Sequence, residues 1–299
     1  MRAGQGSPGG AAPAVIGSGK AAGDENFPVG SWLLPARLRP HVHAFYAFAR
    51  AADDVADSPD LLPEEKVTRL DRFAAVLLGA AGAESAYLSA ERLRASLAET
   101  GVTPQHGLDL LAAFTRDATK LRYGDWADLM GYCALSASPV GRYLLDLHGE
   151  DRRRYAASDP LCDALQVLNH VQDCRGDYRR LDRVYLPLAW FEAEGCEVGA
   201  LDRPRASPAV RRVLDRALDG VDDLLRRARE LPFRLRNTRL ATESAVILCL
   251  AERLASELRR RDPLAERVEV GRAGWLLAGI EGCGRAMRRL ANTRQTHNH

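Results

Sequence analysis

Two rows of polar residues could do chemistry. Gln166, Asn169, Asp173 and Asp177 fall at i, i+3, i+7 and i+11, and Tyr46, Arg50, Asp53 and Asp57 at i, i+4, i+7 and i+11. On an α-helix either spacing puts four side chains in one stripe. A stripe that faces a core is normally apolar, whereas these carry carboxylates, carboxamides, a phenol and a guanidinium. Asp53, Asp54 and Asp57 crowd one helix, and none has a Lys or Arg four residues on. Like charges so spaced destabilise a helix by a few tenths of a kcal/mol, so a cation is expected to compensate. Two carboxylate pairs on two helices can face each other across a bundle interior. Hard oxygen ligands at this density suit Mg²⁺, which keeps several waters and shares its shell with phosphate. Arg50 in one row, with Arg179, Arg180 and Arg183 beyond the other, adds charge for an anion. The pattern describes a diphosphate site. One such row alone reads as a solvated face; two rows on otherwise apolar helices favour function.

The elements that carry these rows are helical throughout. Val42, Phe45, Ala49, Ala52 and Ala56 make an apolar face over residues 40–57, and Ser58-Pro59 ends it because the residue before proline avoids the α region. Further helices are predicted over 63–78, 87–99, 104–121, 126–147 (kinked at Pro139 and Gly141), 160–182, 188–194, 208–229, 238–261 and 272–290. Asp24 or Asn26 could cap a short helix ending at Leu34. No segment alternates like a strand, and no repeat of fixed period occurs. The expectation is an all-α chain of about ten helices, with one domain over residues 24–292. Residues 1–23, rich in Gly, Ala and Pro, read as a disordered tail, and 293–299 as a C-terminal tail.

Composition narrows the function. Of 299 residues, 42 are basic and 40 acidic, interspersed, so no basic block argues for nucleic acid. The six cysteines form no CxxC pair and suit a reducing cytosol. No apolar run approaches the roughly 20 residues that span a bilayer, and the N-terminus lacks the pattern of a secretory signal. A cytoplasmic protein is expected, peripheral to a membrane at most. A di-iron bundle needs paired Glu-x-x-His motifs, which are missing. His41, His43, His106, His148 and His170 each stand without a partner and are assigned no role. No G-x-S-x-G elbow, Walker loop or G-x-G-x-x-G occurs.

The residues then resemble a known family. Tyr46-Ala-Phe-Ala-Arg50-Ala-Ala-Asp53-Asp54-Val-Ala-Asp57 is similar to the first aspartate motif of the squalene/phytoene synthases. Leu165-Gln166, Asn169, Asp173, Asp177-Tyr178 and Arg183-Val184-Tyr185-Leu186-Pro187 together resemble their second. Glu25-Asn26-Phe27-Pro28-Val29, and Tyr132-Cys133 with Ser136, Pro139 and Gly141, look like the bacterial branch that forms hydroxysqualene in hopanoid pathways. One departure concerns Glu25, which stands where many condensing members have Lys or Arg, and fits a substrate with one diphosphate.

This resemblance implies the isoprenoid synthase helical bundle around a central cavity. It implies Mg²⁺ held by Asp53, Asp57, Asn169, Asp173 and Asp177, and no NADPH. Arg50, Arg183, Asn26 and Gln166 would hold the substrate diphosphate. Tyr46 and Tyr132 would orient the diphosphate or the attacking water. Phe27, Leu144 and Val167 are expected in the cavity wall. The implied reaction ionises presqualene diphosphate and traps the cation with water. Expected partners are a prenyl diphosphate lipid, transient membrane contact, a presqualene diphosphate synthase and a flavin-dependent hydroxysqualene reductase. The alternative within the fold is head-to-head condensation of two farnesyl diphosphates to presqualene diphosphate, squalene or dehydrosqualene. A non-catalytic assembly factor and a plain helical scaffold are the readings from other classes.

Overall fold

The computed structural model describes residues 34–82 and 84–295. The N-terminal tail, the capped helix before Leu34, and the positions of Glu25, Asn26 and Phe27 lie outside the described residues. Twelve α-helices follow: α1 (Arg39–Ala56), α2 (Pro63–Leu77), α3 (Leu88–Thr100), α4 (Gln105–Thr119), α5 (Trp126–Ser136), α6 (Ser138–Leu147), α7 (Tyr155–Leu181), α8 (Leu188–Ala193), α9 (Pro208–Ala228), α10 (Leu231–Arg234), α11 (Thr238–Arg260) and α12 (Arg272–Gln295). The all-α expectation holds. Among the described residues the sole β pairing is an isolated parallel bridge, Arg122 with Val184.

Three details differ from the sequence reading. The helix expected over 126–147 is two helices, broken at Ala137 (φ −118°, ψ −51°), with Pro139 near the start of α6 rather than at a kink. Proline favours a first turn, because its missing N–H has no helical partner there. Second, α7 begins at Tyr155, so Pro160 lies inside it. Third, α12 runs to Gln295, past the helix end expected at residue 290.

Two apolar cores organise the bundle. The first joins Phe45 and Phe48 of α1, Phe73 of α2, Leu93 of α3, Leu110 and Phe114 of α4, and Tyr143 of α6. The second joins Leu129 of α5, Leu165 and Leu168 of α7, Leu214 and Val221 of α9, and Leu248 and Leu254 of α11. Each helix contributes its i, i+3/i+4 apolar stripe, and burying those stripes is the main force that assembles the bundle. The two acidic rows sit on α1, in the first core, and α7, in the second. The site therefore forms at the seam between the two.

The end of α7 is shaped for that seam. Asp182 takes a left-handed conformation (φ 49°), the only non-glycine residue among those described with positive φ. Aspartate tolerates it because its short polar side chain bonds locally, and here that side chain pairs with Arg122. The turn sends Arg183 back over the helix, its N–H reaching Asp177 O at 3.2 Å. Val184 N then donates to Leu121 O at 2.9 Å, which closes the bridge.

Candidate active site

α1, α4, α5 and α7 enclose a small polar cavity lined by Asp53, Asp117, Tyr132, Gln166, Asn169, Asp173, Asp177, Arg183 and Tyr185, among others. The α7 row thus meets Asp53 of the α1 row at one site. Asp57 adjoins it through Arg183, whose Nη1 donates to Asp57 Oδ1 at 2.9 Å.

Arg183 is the buried cation of the site, 3 % exposed. Nη2 donates to the Asp117 carbonyl at 2.9 Å, and Nη1 also reaches Tyr185 Oη at 3.3 Å. Burial works against its charge, but Asp117, Tyr185 and Asp57 outweigh it and hold the guanidinium protonated more firmly than usual. A planar fork of donors can satisfy several fixed acceptors at once. The diphosphate role expected of Arg183 therefore comes with a second one, joining α1 to α4 at the seam.

Asp117 on α4 is a site residue that sequence reading missed. Tyr132 donates to its Oδ2 at 2.6 Å and Tyr185 to its Oδ1 at 2.8 Å. Burial lifts its carboxyl to about 6, against the pull of Arg183 and the two phenols. Beneath it, Tyr185 stacks on His170 with ring centroids 3.6 Å apart, and Tyr123 stacks on Tyr185 at 5.5 Å. Burial, with Arg183 nearby, drops His170 to about 3, so its ring is neutral. The faint sequence signal for Asp117 was a lone acid on the inward face of a helix that is otherwise apolar there.

The remaining carboxylates are poised for a cation. Burial, then repulsion from Asp57 and Asp117, raises Asp53 well above the usual range. Burial, then Asp173, raises Asp177 to about 7. Among the described residues, Asp53 Oδ2, Asp57 Oδ2 and Asp177 Oδ1 are buried without a hydrogen-bond partner. Orphaned carboxylate oxygens in one cavity fit a hard divalent ion, which would supply the missing charge. Among the described residues no three acidic, His or Cys side chains converge to a closed ligand cage. An ion here would complete its shell with water or substrate oxygens, as Mg²⁺ sites on phosphates do.

Two expected residues stand apart. Arg50 is half-buried and pairs with Asp54 (Nε–Oδ1 3.2 Å), so Asp54, which is exposed, has its cation four residues before it rather than after. Tyr46 is half-buried, and neither it nor Arg50 lines the polar cavity. Asn169 and Gln166 do line it.

Gln166 and Ser136 also line a second cavity, between α5, α6, α7 and α11. Its wall is largely apolar, with Val140, Leu144, Leu161, Leu165, Leu240 and Ile247. Leu144 is where expected; Val167 is not, being wholly buried in the second core. Gly141 permits this wall, because a Cβ there would lie 2.5 Å from Cys162 Sγ and 2.6 Å from Ser158 Oγ. A charged pocket opening beside an apolar one is suited to an amphiphile with an anionic head and a long hydrocarbon.

The comparisons with known proteins agree with this shape. The model of the squalene/phytoene synthase family matches residues 20–274. A hydroxysqualene synthase of Rhodopseudomonas palustris is 44% identical over 263 residues, covering 88% of this chain and 89% of its own. One of Zymomonas mobilis is 43% identical over 275 residues, covering 91% and 92%. The crystal structure of a squalene synthase from Alicyclobacillus acidocaldarius superimposes with a TM-score of 0.67 at 31% identity, over 76% of this chain and 85% of that one.

Proposed function

From the chain's membership of the squalene/phytoene synthase family, we propose that it is an isoprenoid synthase that ionises presqualene diphosphate and captures the cation with water, giving hydroxysqualene and diphosphate. The single observation that carries this reading is the pairing of cavities. Carboxylates of α1 and α7 line a polar pocket, and Gln166 and Ser136 join it to an apolar one. Relatives at 40–44% identity over about nine-tenths of the chain are hydroxysqualene synthases. Four aspartates kept at such a site argue against a non-catalytic assembly factor.

Asp53, Asp57, Asn169, Asp173 and Asp177 would hold Mg²⁺, and no nicotinamide is called for. When bound, the metal supplies Lewis-acid stabilisation of the leaving diphosphate. The protein's own residues do the rest. Arg183, fixed by Asp57 and Asp117, sets a positive charge at the edge of the carboxylates, preorganised before any substrate arrives. Tyr132 and Tyr185 hold both oxygens of Asp117, which keeps that acid from competing for the metal. Gln166, at the boundary, orients the substrate where its polar head meets its hydrocarbon. The apolar wall excludes bulk water, so a cation formed there reacts only with water that the site admits. Arg50 and Asn26 are assigned to the diphosphate, and Tyr46 to its orientation, as the resemblance implies.

Among the described residues no helix is long and apolar enough to cross a membrane. A cytoplasmic enzyme that touches a membrane to exchange its lipids fits the reading, as do neighbours that supply presqualene diphosphate and reduce hydroxysqualene. The test incubates purified protein and Mg²⁺ with either presqualene or farnesyl diphosphate, without NADPH. Hydroxysqualene from presqualene diphosphate alone is the expected product. Consumption of farnesyl diphosphate to presqualene diphosphate, squalene or dehydrosqualene would replace it with the condensing reading.

A further inference from the structure

Among the described residues, one carboxylic acid lines the apolar cavity. Glu243 is the sixth residue of α11, is 6 % exposed, and lines this cavity beside Leu240 and Ile247. It does not line the polar cavity, so it belongs to the hydrocarbon side and not to the metal ligands. The buried positions around it on α11 are Leu240, Ala241, Ser244, Ala245 and Leu248, and an acid among them breaks the pattern that packing alone would set. Breaks of this kind concentrate at functional sites. A second observation concerns the shared wall. Ser136 lines both cavities, and its Oγ is buried with no hydrogen-bond partner among the described residues. The cavity follows α7 from Gln166 to Ser158, about 12 Å of helix at 1.5 Å per residue. The hydrocarbon can thus lie well clear of the diphosphate.

We propose that Glu243 receives the proton of the captured water. This rests on the reaction proposed above. The diphosphate leaves with the electron pair of its C–O bond, and the cation rearranges in the apolar cavity. A water lone pair then forms the new C–O bond. The resulting oxonium is acidic and loses one O–H proton to the Glu243 carboxylate, leaving neutral hydroxysqualene, with no net redox change. Ser136, on the wall the two cavities share, offers a hydroxyl to hold the entering water. Glu243 therefore governs which product forms, and the Asp53–Asp177 pocket governs whether ionisation occurs.

The experiment separates these two events. Presqualene diphosphate and Mg²⁺ are given to wild type, Glu243→Gln, Glu243→Met and, as a control on a half-buried position of the same helix that does not line the cavity, Thr242→Ala. Diphosphate release and the organic products are measured together. Both Glu243 variants are expected to release diphosphate within about threefold of wild type, with the hydroxysqualene share of products falling at least tenfold in favour of olefins and isomeric alcohols. Glu243→Asp should recover part of that share, and Thr242→Ala all of it. Because Met suits an apolar wall, it serves if the Gln variant does not fold. A wild-type product split in either folded variant overturns the proposal and assigns proton removal to the diphosphate. Wild type that forms no hydroxysqualene overturns the proposed function instead.

Discussion

Arg183 Nη1 donates to Asp57 Oδ1 across 2.9 Å, joining residues 126 positions apart in the chain. Through this bond the end of α7 is fastened to the end of α1, and with it one acidic row to the other. Removing the guanidinium leaves Asp57 and Asp117 buried without their cation. Breaking such a pair costs about 3–5 kcal/mol. Arg183→Met should lower the unfolding free energy by that order in a denaturant titration. Arg183→Lys keeps the charge but loses the fork, and should keep most of the stability while kcat falls on the order of 100-fold, about 2.7 kcal/mol in the barrier.

The carboxylates on either side of the cavity should be needed for turnover and not for folding. Asp53→Asn and Asp173→Asn are each expected to reduce kcat by at least about 1,000-fold, roughly 4 kcal/mol, with circular dichroism and melting temperature unchanged or improved. EDTA should act likewise, and added Mg²⁺ should reverse it. Full activity in either variant, or in EDTA, would sink the metal–diphosphate reading.

Tyr132 and Tyr185 occupy the two oxygens of one buried acid. Hydrogen bonds to charged groups contribute about 1.5–3 kcal/mol, so each Tyr→Phe change should destabilise by that order. Their hydroxyls lie 3.4 Å apart on a shared partner, so the double variant should depart from additivity. A strictly additive thermal-melt series would show that the two bonds act independently.

Asp163 gives a pH dependence away from the carboxylates of the polar cavity. Burial raises its carboxyl to about 7, against the bond from Ser138 Oγ. Between about pH 4 and 7 the folded protein then binds a proton that the unfolded chain does not, so stability contributed by this group is lost as pH rises through that window. Asp163→Asn removes the titration. The stability lost between pH 5 and pH 8 should shrink by about 2–3 kcal/mol in this variant, measured by urea unfolding at both values. An unchanged difference would show that other groups carry the slope.

Gly141 has no room for a side chain. Gly141→Ala must push α6 from α7 or displace Ser158 and Cys162, and overpacking of this kind costs about 1–3 kcal/mol. Because that wall lines the apolar cavity, KM for the long lipid should rise more than kcat falls. A neutral substitution by both measures would show that the helices part freely.

The helices and the two acidic rows were legible because periodicity is a local property. Asp53 and Asp57 share a helix face with no knowledge of the rest of the chain, as do Asn169, Asp173 and Asp177. What faces those rows was not legible. Asp117 stands alone on α4, and its importance comes from Tyr132 and Tyr185, 15 and 68 residues away. Glu243 likewise looks like any helical glutamate until its neighbours are known. The break at Ala137 escaped because Pro139 fits either a kinked helix or a new start. Arg50 kept its expected helix face, but pairing with exposed Asp54 could not be told from spacing that serves either partner.

The Arg122–Val184 bridge places an unusual demand on chain length. Extended backbone alternates its side chains, so residues two apart share a side, an arrangement no helix provides. Arg183 and Tyr185 both reach Asp117, while Val184 between them packs into the second core. This small scrap of sheet acts as a reading frame. Deleting one residue between Asp182 and Leu186 would present valine to the acid and turn the arginine toward the core. Substitutions here cost one contact each, but a single-residue insertion or deletion would exchange the entire set. The segment should tolerate changes of residue far better than changes of length.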